Sequence, residues 1–269
     1  MFPLVGKIIQ KKIQSIYTRI VFNSYYSLFG VDMKKLSVIF ILLSFCSILY
    51  GLPDKTEFSD ITIYHNGERE DTLREIDQMI SKIQSNVFKY FEIVVGKREM
   101  DIYSNQKKMQ RQKHPIISAF AKLDWYIGDN SGERILIVSP NTKVKGHSYS
   151  SIINAIPHEY IHTIIFSINP KCPLWINEGV ALYLSNRQKV STRTTNIPPM
   201  KILKSNNSLY FQKNNGYGYA DKFIEFIEDE YGHGKVIELI KEGSYEDVLG
   251  KSLGTIHSEW IEYLKRSYP

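Results

Sequence analysis

The apolar and polar positions divide the chain into a first half of short strands with one long helix and a second half rich in helices. Apolar and polar residues alternate at 58–64, which predicts a strand. At 72–95, apolar residues recur at helical spacing and predict a long amphipathic helix. Residues 100–103 and 133–138 predict two further strands, and 106–121 predicts a polar helix.

The second half begins with an apolar series at 152–165, which predicts a buried helix. Pro157 marks either the first turn of this helix or a kink, because proline lacks a backbone donor. Residues 186–215 are polar and predict an exposed excursion. Apolar positions then predict a helix that begins near Tyr217 and stops at Gly232.

Two histidines at helical spacing are the first candidates for chemistry. His158 and His162 are four residues apart, so a helix projects both imidazoles from one face, where they can bind one metal ion. Glu159 points to the open side of that metal, where a general base is needed. A hydrolytic zinc site normally has three protein ligands and a water, so a third ligand is expected nearby.

The third ligand is sought downstream of His162. The metzincin pattern needs another histidine soon after the motif, but the next one is His233. Glu178 lies sixteen residues past His162, across a loop that contains Cys172. A helix, a turn and a second helix running back would bring the Glu178 carboxylate beside the imidazoles. Glu178 is therefore the predicted ligand, and the Cys172 thiol is interpreted as packing in the loop.

The sequence HEYIH at 158–162, followed by WINEGVA at 175–181, resembles the gluzincin metallopeptidases. This is the broad group of thermolysin and aminopeptidase N, and the likeness is greatest to the bacterial peptidase MA-like proteins. A weaker likeness covers most of 58–269. The resemblance implies one Zn²⁺ bound by His158, His162 and Glu178, a zinc-bound water activated by Glu159, and a peptide or protein substrate.

The resemblance also implies roles for residues outside the motif. The helix that stops at Gly232 resembles the tyrosine-bearing helix of this family, in which a tyrosine fifteen residues before the final glycine donates a hydrogen bond to the oxyanion. That position is Tyr217, and Tyr219 is near enough to be a rival. In gluzincins the strand before the motif helix is the sheet edge that pairs with extended substrate, which implies this role for 133–138.

Positive charge is concentrated at the amino terminus. Residues 1–51 hold six basic residues and one acidic residue, a net +5, so 52–269 holds only +1 of the formal charge of +6. The body of the chain gives no reason to expect a nucleic-acid partner. Residues 33–51 resemble a signal peptide, which predicts translation from Met33 and export to the periplasm, cell envelope or extracellular space. An uncleaved segment would instead be a membrane anchor.

These elements together predict an α+β fold. We expect a targeting segment at 1–51 and a single zincin-like catalytic domain at 52–269. Within that domain, a small mixed or antiparallel sheet lobe, about 57–148, would precede a mainly helical lobe, about 149–269, with the active-site cleft between them.

The predicted function is zinc-dependent peptide hydrolysis. An endopeptidase is the default, because the sequence has no Gly-x-Met-Glu-Asn stretch of the kind that aminopeptidase N relatives use to bind a free amine. One alternative is a catalytically inactive zincin-fold binding module in the cell envelope. Another is a membrane-anchored structural protein in which zinc only joins two helices, and such a zinc usually has four protein ligands.

Overall fold

The described part of the chain forms one mixed sheet followed by helices. It comprises residues 53–114, 123–185 and 196–268 of a computed structural model. The strands are β1 (Asp54–Glu57), β2 (Ile61–His65), β3 (Arg98–Tyr103), β4 (Gly128–Ser131) and β5 (Arg134–Val138). Their order in the sheet is β1-β2-β3-β5-β4. β3 runs parallel to both of its neighbours, whereas β1 and β4 are antiparallel to theirs, so the predicted combination of α and β structure is confirmed and the sheet is mixed.

Helices alternate with the strands and then continue alone to the carboxyl end of the described chain. They are α1 (Glu70–Phe91), α2 (Gln106–Lys113), α3 (Tyr149–Ile153), α4 (Ile156–Ile168), α5 (Leu174–Ser185), α6 (Ser208–Lys213), α7 (Gly216–Tyr231), α8 (His233–Glu242), α9 (Tyr245–Leu249) and α10 (Leu253–Ser267), with a 3₁₀ turn at Met200–Lys204. The helices predicted at 72–95, 152–165 and after Tyr217 are confirmed as α1, α4 and α7. The polar helix predicted at 106–121 is α2 in its first half only, because α2 ends at Lys113 with the non-helical His114 as its C-cap.

The long helix α1 connects the sheet to the helices. Its apolar side, which includes Ile76, Ile80, Ile83 and Val87, is buried, and the helix packs against both β2 and α4. Burying a branched aliphatic side chain contributes roughly 1.5–3 kcal/mol to the free energy of unfolding. The helix ends where Glu92 adopts a left-handed conformation with a φ of 54°.

The strand implied to be the sheet edge is not at the edge. Residues 134–138 form β5, which pairs with β3 on one side and β4 on the other, so the substrate-pairing role expected of 133–138 is wrong. Within the described residues, the edge on this side is β4. Its sequence, Gly-Asp-Asn-Ser, contains only residues that are depleted from strands or typical of turns, so periodicity did not reveal it.

The motif helix begins at its proline. α4 starts at Ile156 with Pro157 in its first turn, where the missing backbone donor costs nothing. Of the two predictions for Pro157, the helix start is therefore confirmed and the kink is wrong. The preceding α3 is capped by Ser148, whose side chain accepts a hydrogen bond from the Ser151 amide. α3 and α4 together contain the apolar series at 152–165 from which one helix was predicted.

Gly179 permits a close contact between α5 and α7. A Cβ atom at this position would lie only 2.6 Å from the carbonyl oxygen of Ala220. Any side chain would therefore separate the two helices. Because Gly179 directly follows Glu178, the contact also holds the backbone of Glu178 in a fixed position relative to α7.

The described residues from Pro53 onward belong to one compact unit. None of the helices described in it has both the length and the apolar content that crossing a bilayer requires. The targeting segment predicted at 1–51 lies outside the described residues, as do 115–121 of the predicted polar helix and 186–195 of the predicted excursion.

Candidate metal centre

α4 brings the two motif histidines together. Both imidazoles leave the same face of the helix and are buried, and their Nε2 atoms are 3.0 Å apart. The ring planes are nearly perpendicular, at 84°. Two nitrogen atoms thus face the same small volume on the inner side of the helix.

α5 adds the predicted carboxylate to this volume. Glu178 Oε2 lies 3.4 Å from His158 Nε2 and 3.7 Å from His162 Nε2. Ligand atoms about 2.0–2.2 Å from a tetrahedral zinc are separated from one another by about 3.3 Å. Among the described residues, this is the group of side chains that lie close enough together to hold a metal ion. The three donor atoms fit a single divalent cation.

The charges around His162 favour a cation. Burial by itself would lower the pKa of His162, but the carboxylates of Glu178 and Glu159 and the contact with Asn177 together raise it above its ordinary value. The raised pKa means that the surroundings stabilise positive charge at this imidazole. A metal ion at the convergence of the three donors would meet the same negative potential.

Asn177 orients one of the candidate metal donors, His162. Its Oδ1 lies 2.8 Å from His162 Nδ1. A carbonyl oxygen can only accept, so Nδ1 carries the proton and the Nε2 lone pair is directed to the metal position. Sequence reasoning included Asn177 in the motif but gave it no role. Its position directly before the ligand Glu178 was the available signal.

The candidate base lies where the helix meets the sheet edge. Glu159 is buried, and a Cβ atom placed on Gly128 of β4 would be 3.1 Å from Glu159 Oε1. The same Cβ atom would lie 2.9 Å from Ile137 Cδ1, so a larger residue would crowd both the Glu159 carboxylate and the Ile137 side chain. This packing explains why position 128 is a glycine, although its backbone conformation does not require one.

A large pocket opens over these groups. Its volume is about 1350 Å³, more than a small-molecule ligand requires and enough for several residues of a peptide. The candidate metal donors His158, His162 and Glu178, the side chain of Glu159 and the edge strand β4 all contribute to its lining. Further lining side chains are Trp125, Tyr126, His114, Leu209, Tyr217 and Asp221.

The two candidate tyrosines have different surroundings. Tyr217 lines the pocket and is 37% exposed. Tyr219 is completely buried at 0% exposure, and its ring packs on Trp260 with the centroids 6.0 Å apart. Of the two, Tyr217 is the one that a substrate in the pocket can meet.

Sequence reasoning missed the groups that β4 brings to the pocket. The Tyr126 hydroxyl donates to Asp129, and burial together with the charges of Asp129 and Glu159 raises the pKa of Tyr126 far above its ordinary value. His114 faces the same carboxylate. No motif or spacing relates these residues to the HExxH helix, which begins its motif 29 to 44 positions downstream of them, so only the fold reveals them.

Cys172 is separate from the metal-binding group. Its thiol does not belong to the group formed by His158, His162 and Glu178, and burial raises the pKa of the thiol to about 12. The remaining histidines whose contacts are described have structural partners. His65 contacts Thr56, and His257 contacts the Pro198 carbonyl.

The chain matches no model of a known protein family, and no curated protein matches it significantly. The gluzincin resemblance therefore rests on the motif residues and remains a hypothesis.

The contact of Asn177 with His162 predicts an effect on metal affinity. Replacement Asn177→Leu removes the acceptor and is expected to weaken Zn²⁺ binding by about 10- to 100-fold, as loss of an outer partner of a metal-bound histidine typically does. Asn177→Asp keeps an acceptor of the same size and should retain the affinity. Competition with a chelator measures both values, and an unchanged affinity in Asn177→Leu would contradict the orienting role.

Proposed function

We propose that this protein is an exported zinc metallopeptidase of the gluzincin type. The observation that carries the proposal is the convergence of His158 Nε2, His162 Nε2 and Glu178 Oε2 within 3.0–3.7 Å of one another, with Glu159 at the side that faces the pocket. In this proposal the sheet and the helices are the two lobes of a zincin domain, and the pocket is the cleft between them.

Three protein donors suit a catalytic zinc better than a structural one. A structural zinc normally has four protein ligands, whereas a catalytic zinc keeps one coordination position for water or substrate. When bound, the ion would supply Lewis-acid activation of water and of the substrate carbonyl. The binding-module alternative is less well supported, because the chain keeps the candidate base as well as the three donors.

Glu159 is the proposed proton carrier. Its buried carboxylate accepts the proton of the attacking water as the C–O bond forms. It then delivers the proton to the amide nitrogen as the C–N bond breaks, so that an amine leaves. Glu159 is buried beside Gly128 and lines the same pocket as the three candidate donors, which supports this role.

The edge strand β4 is the proposed site for the substrate backbone. An extended peptide can add to an exposed sheet edge through main-chain hydrogen bonds, and Gly128 brings this edge next to Glu159. The Tyr217 hydroxyl lies in the same pocket and is proposed to donate to the oxyanion of the tetrahedral intermediate. An endopeptidase is proposed because the sequence has no Gly-x-Met-Glu-Asn stretch of the kind that binds a free amine in aminopeptidase N relatives.

Two substitutions separate metal binding from catalysis. Glu159→Gln is expected to retain Zn²⁺ and lose hydrolysis, because the amide cannot accept the proton of the water. His162→Ala is expected to lose both, because one of three donors is absent. Metal analysis of the purified variants and digestion of a peptide library, with and without chelator, measure the two properties, and full activity in Glu159→Gln would falsify the mechanism.

The tyrosines give a second test. Tyr217→Phe is expected to lower kcat by about a hundredfold or more with little change in KM, because a donor to the oxyanion acts only in the transition state. Tyr219→Phe is the matched control on the same helix and should leave kcat near the wild-type value. Equal losses in the two variants, or a loss in Tyr219→Phe alone, would contradict the assignment of Tyr217.

A further inference from the structure

Two residues of the edge strand β4, Gly128 and Asn130, differ in the backbone hydrogen bonds that they can make with a peptide. In an antiparallel pair, successive residues point their backbone groups alternately toward and away from the partner strand. The Val138 amide donates to the Ile127 carbonyl at 3.0 Å, so Ile127 and Asp129 face β5. Gly128 and Asn130 therefore direct their amide and carbonyl groups away from the sheet.

The backbone of Asn130 is already occupied. Its amide donates to Asp129 Oδ1 at 2.6 Å, and its carbonyl accepts a hydrogen bond from Lys113 Nζ at the end of α2. Lys113 Nζ also lies 3.2 Å from the same carboxylate oxygen of Asp129. One ion pair thus binds both of the outward backbone groups of Asn130.

This ion pair is fixed from a second side. The other carboxylate oxygen of Asp129 accepts from the Tyr126 hydroxyl and lies 3.7 Å from His114 Nε2. The side chains of Lys113 and Asp129 are only 31% and 20% exposed. Such a network is less screened and better ordered than an isolated surface pair, so a peptide does not displace it without loss.

Gly128 has no side chain that could shield its own backbone amide and carbonyl, and it lies against Glu159. A peptide bound at Gly128 would have its scissile bond near the base and its next residues directed along the strand toward Asn130. At that position the peptide meets Lys113 and Asp129 in place of a backbone donor and acceptor.

We propose that Lys113 determines how many substrate residues the pocket recognises, because with Asp129 it ends the peptide-pairing edge after Gly128. This inference rests on the proposed peptidase function. It assigns to Lys113 a role in specificity and none in the chemical step. The sequence gives no sign of it, since Lys113 is one of several lysines in a polar helix.

The test compares peptides that extend one cleaved sequence by one residue at a time, first at one end and then at the other. In the wild-type protein, extension along Asn130 is expected to give no gain in kcat/KM. In Lys113→Met the Asn130 carbonyl becomes available, and one additional backbone hydrogen bond should raise kcat/KM for the extended peptide by roughly two- to tenfold. Extension at the opposite end should have the same effect in both proteins.

Two further variants serve as controls. Lys113→Arg retains a cationic donor and should behave as the wild type, and so should Lys107→Met, which removes an exposed lysine of the same helix. Affinities of the same peptides for zinc-loaded Glu159→Gln, alone and combined with Lys113→Met, provide a readout that does not depend on turnover. The same two- to tenfold gain is expected there.

The outcomes distinguish the two proposals. If the wild type cleaves peptides but Lys113→Met shows no end-specific gain in either readout, the role of Lys113 is wrong and the peptidase function stands. If the wild type neither cleaves nor binds any peptide of the series, the proposed function is wrong, and the role of Lys113 fails with it.

Discussion

The close approach of α4 and α5 is the constraint on which the candidate site depends. Each helix delivers polar side chains into a buried volume, and burying such groups is costly unless they find partners. The imidazoles and the Glu178 carboxylate meet this requirement by facing one another and, in the proposed function, by binding a cation. Gly179 keeps α5 against α7, and Asn177 keeps His162 in the required tautomer. A displacement of about 1 Å between these helices would remove the fit to zinc ligand distances, which vary by only ~0.2 Å.

The sheet contributes the other half of the pocket through its least strand-like segment. β4 is short and polar, and it lies at the edge of the described sheet, where it needs few apolar residues. Gly128 makes room for the base, and Asp129 gathers Tyr126, His114 and Lys113 around one carboxylate. The helices thus provide the metal donors, and the edge strand shapes the space in which a substrate would lie.

The sequence predicted the features that follow from local periodicity and spacing. The four-residue interval of the histidines and the loop length before Glu178 were enough to predict three donors in one place, and apolar spacing predicted α1, α4 and α7. The edge strand was not predictable in this way, because Gly128–Ser131 has no apolar alternation of its own, although it pairs with the neighbouring β5 across a short turn. The contact of Asp129 with Lys113 joins separate elements, and its contact with Tyr126 spans only three residues outside any helix, so neither leaves a periodic signal. The expectation that 133–138 form the sheet edge is wrong because β4, which covers that edge, was not predicted.

X-ray absorption spectroscopy of the zinc-loaded protein tests the central claim most directly, because it counts and identifies the atoms around the metal. The account predicts two imidazole nitrogens, one carboxylate oxygen and one exchangeable water around the metal, and loss of bound zinc in His158→Ala, as in His162→Ala. A sulfur ligand, a fourth protein donor, or a spectrum that His158→Ala does not change would contradict it.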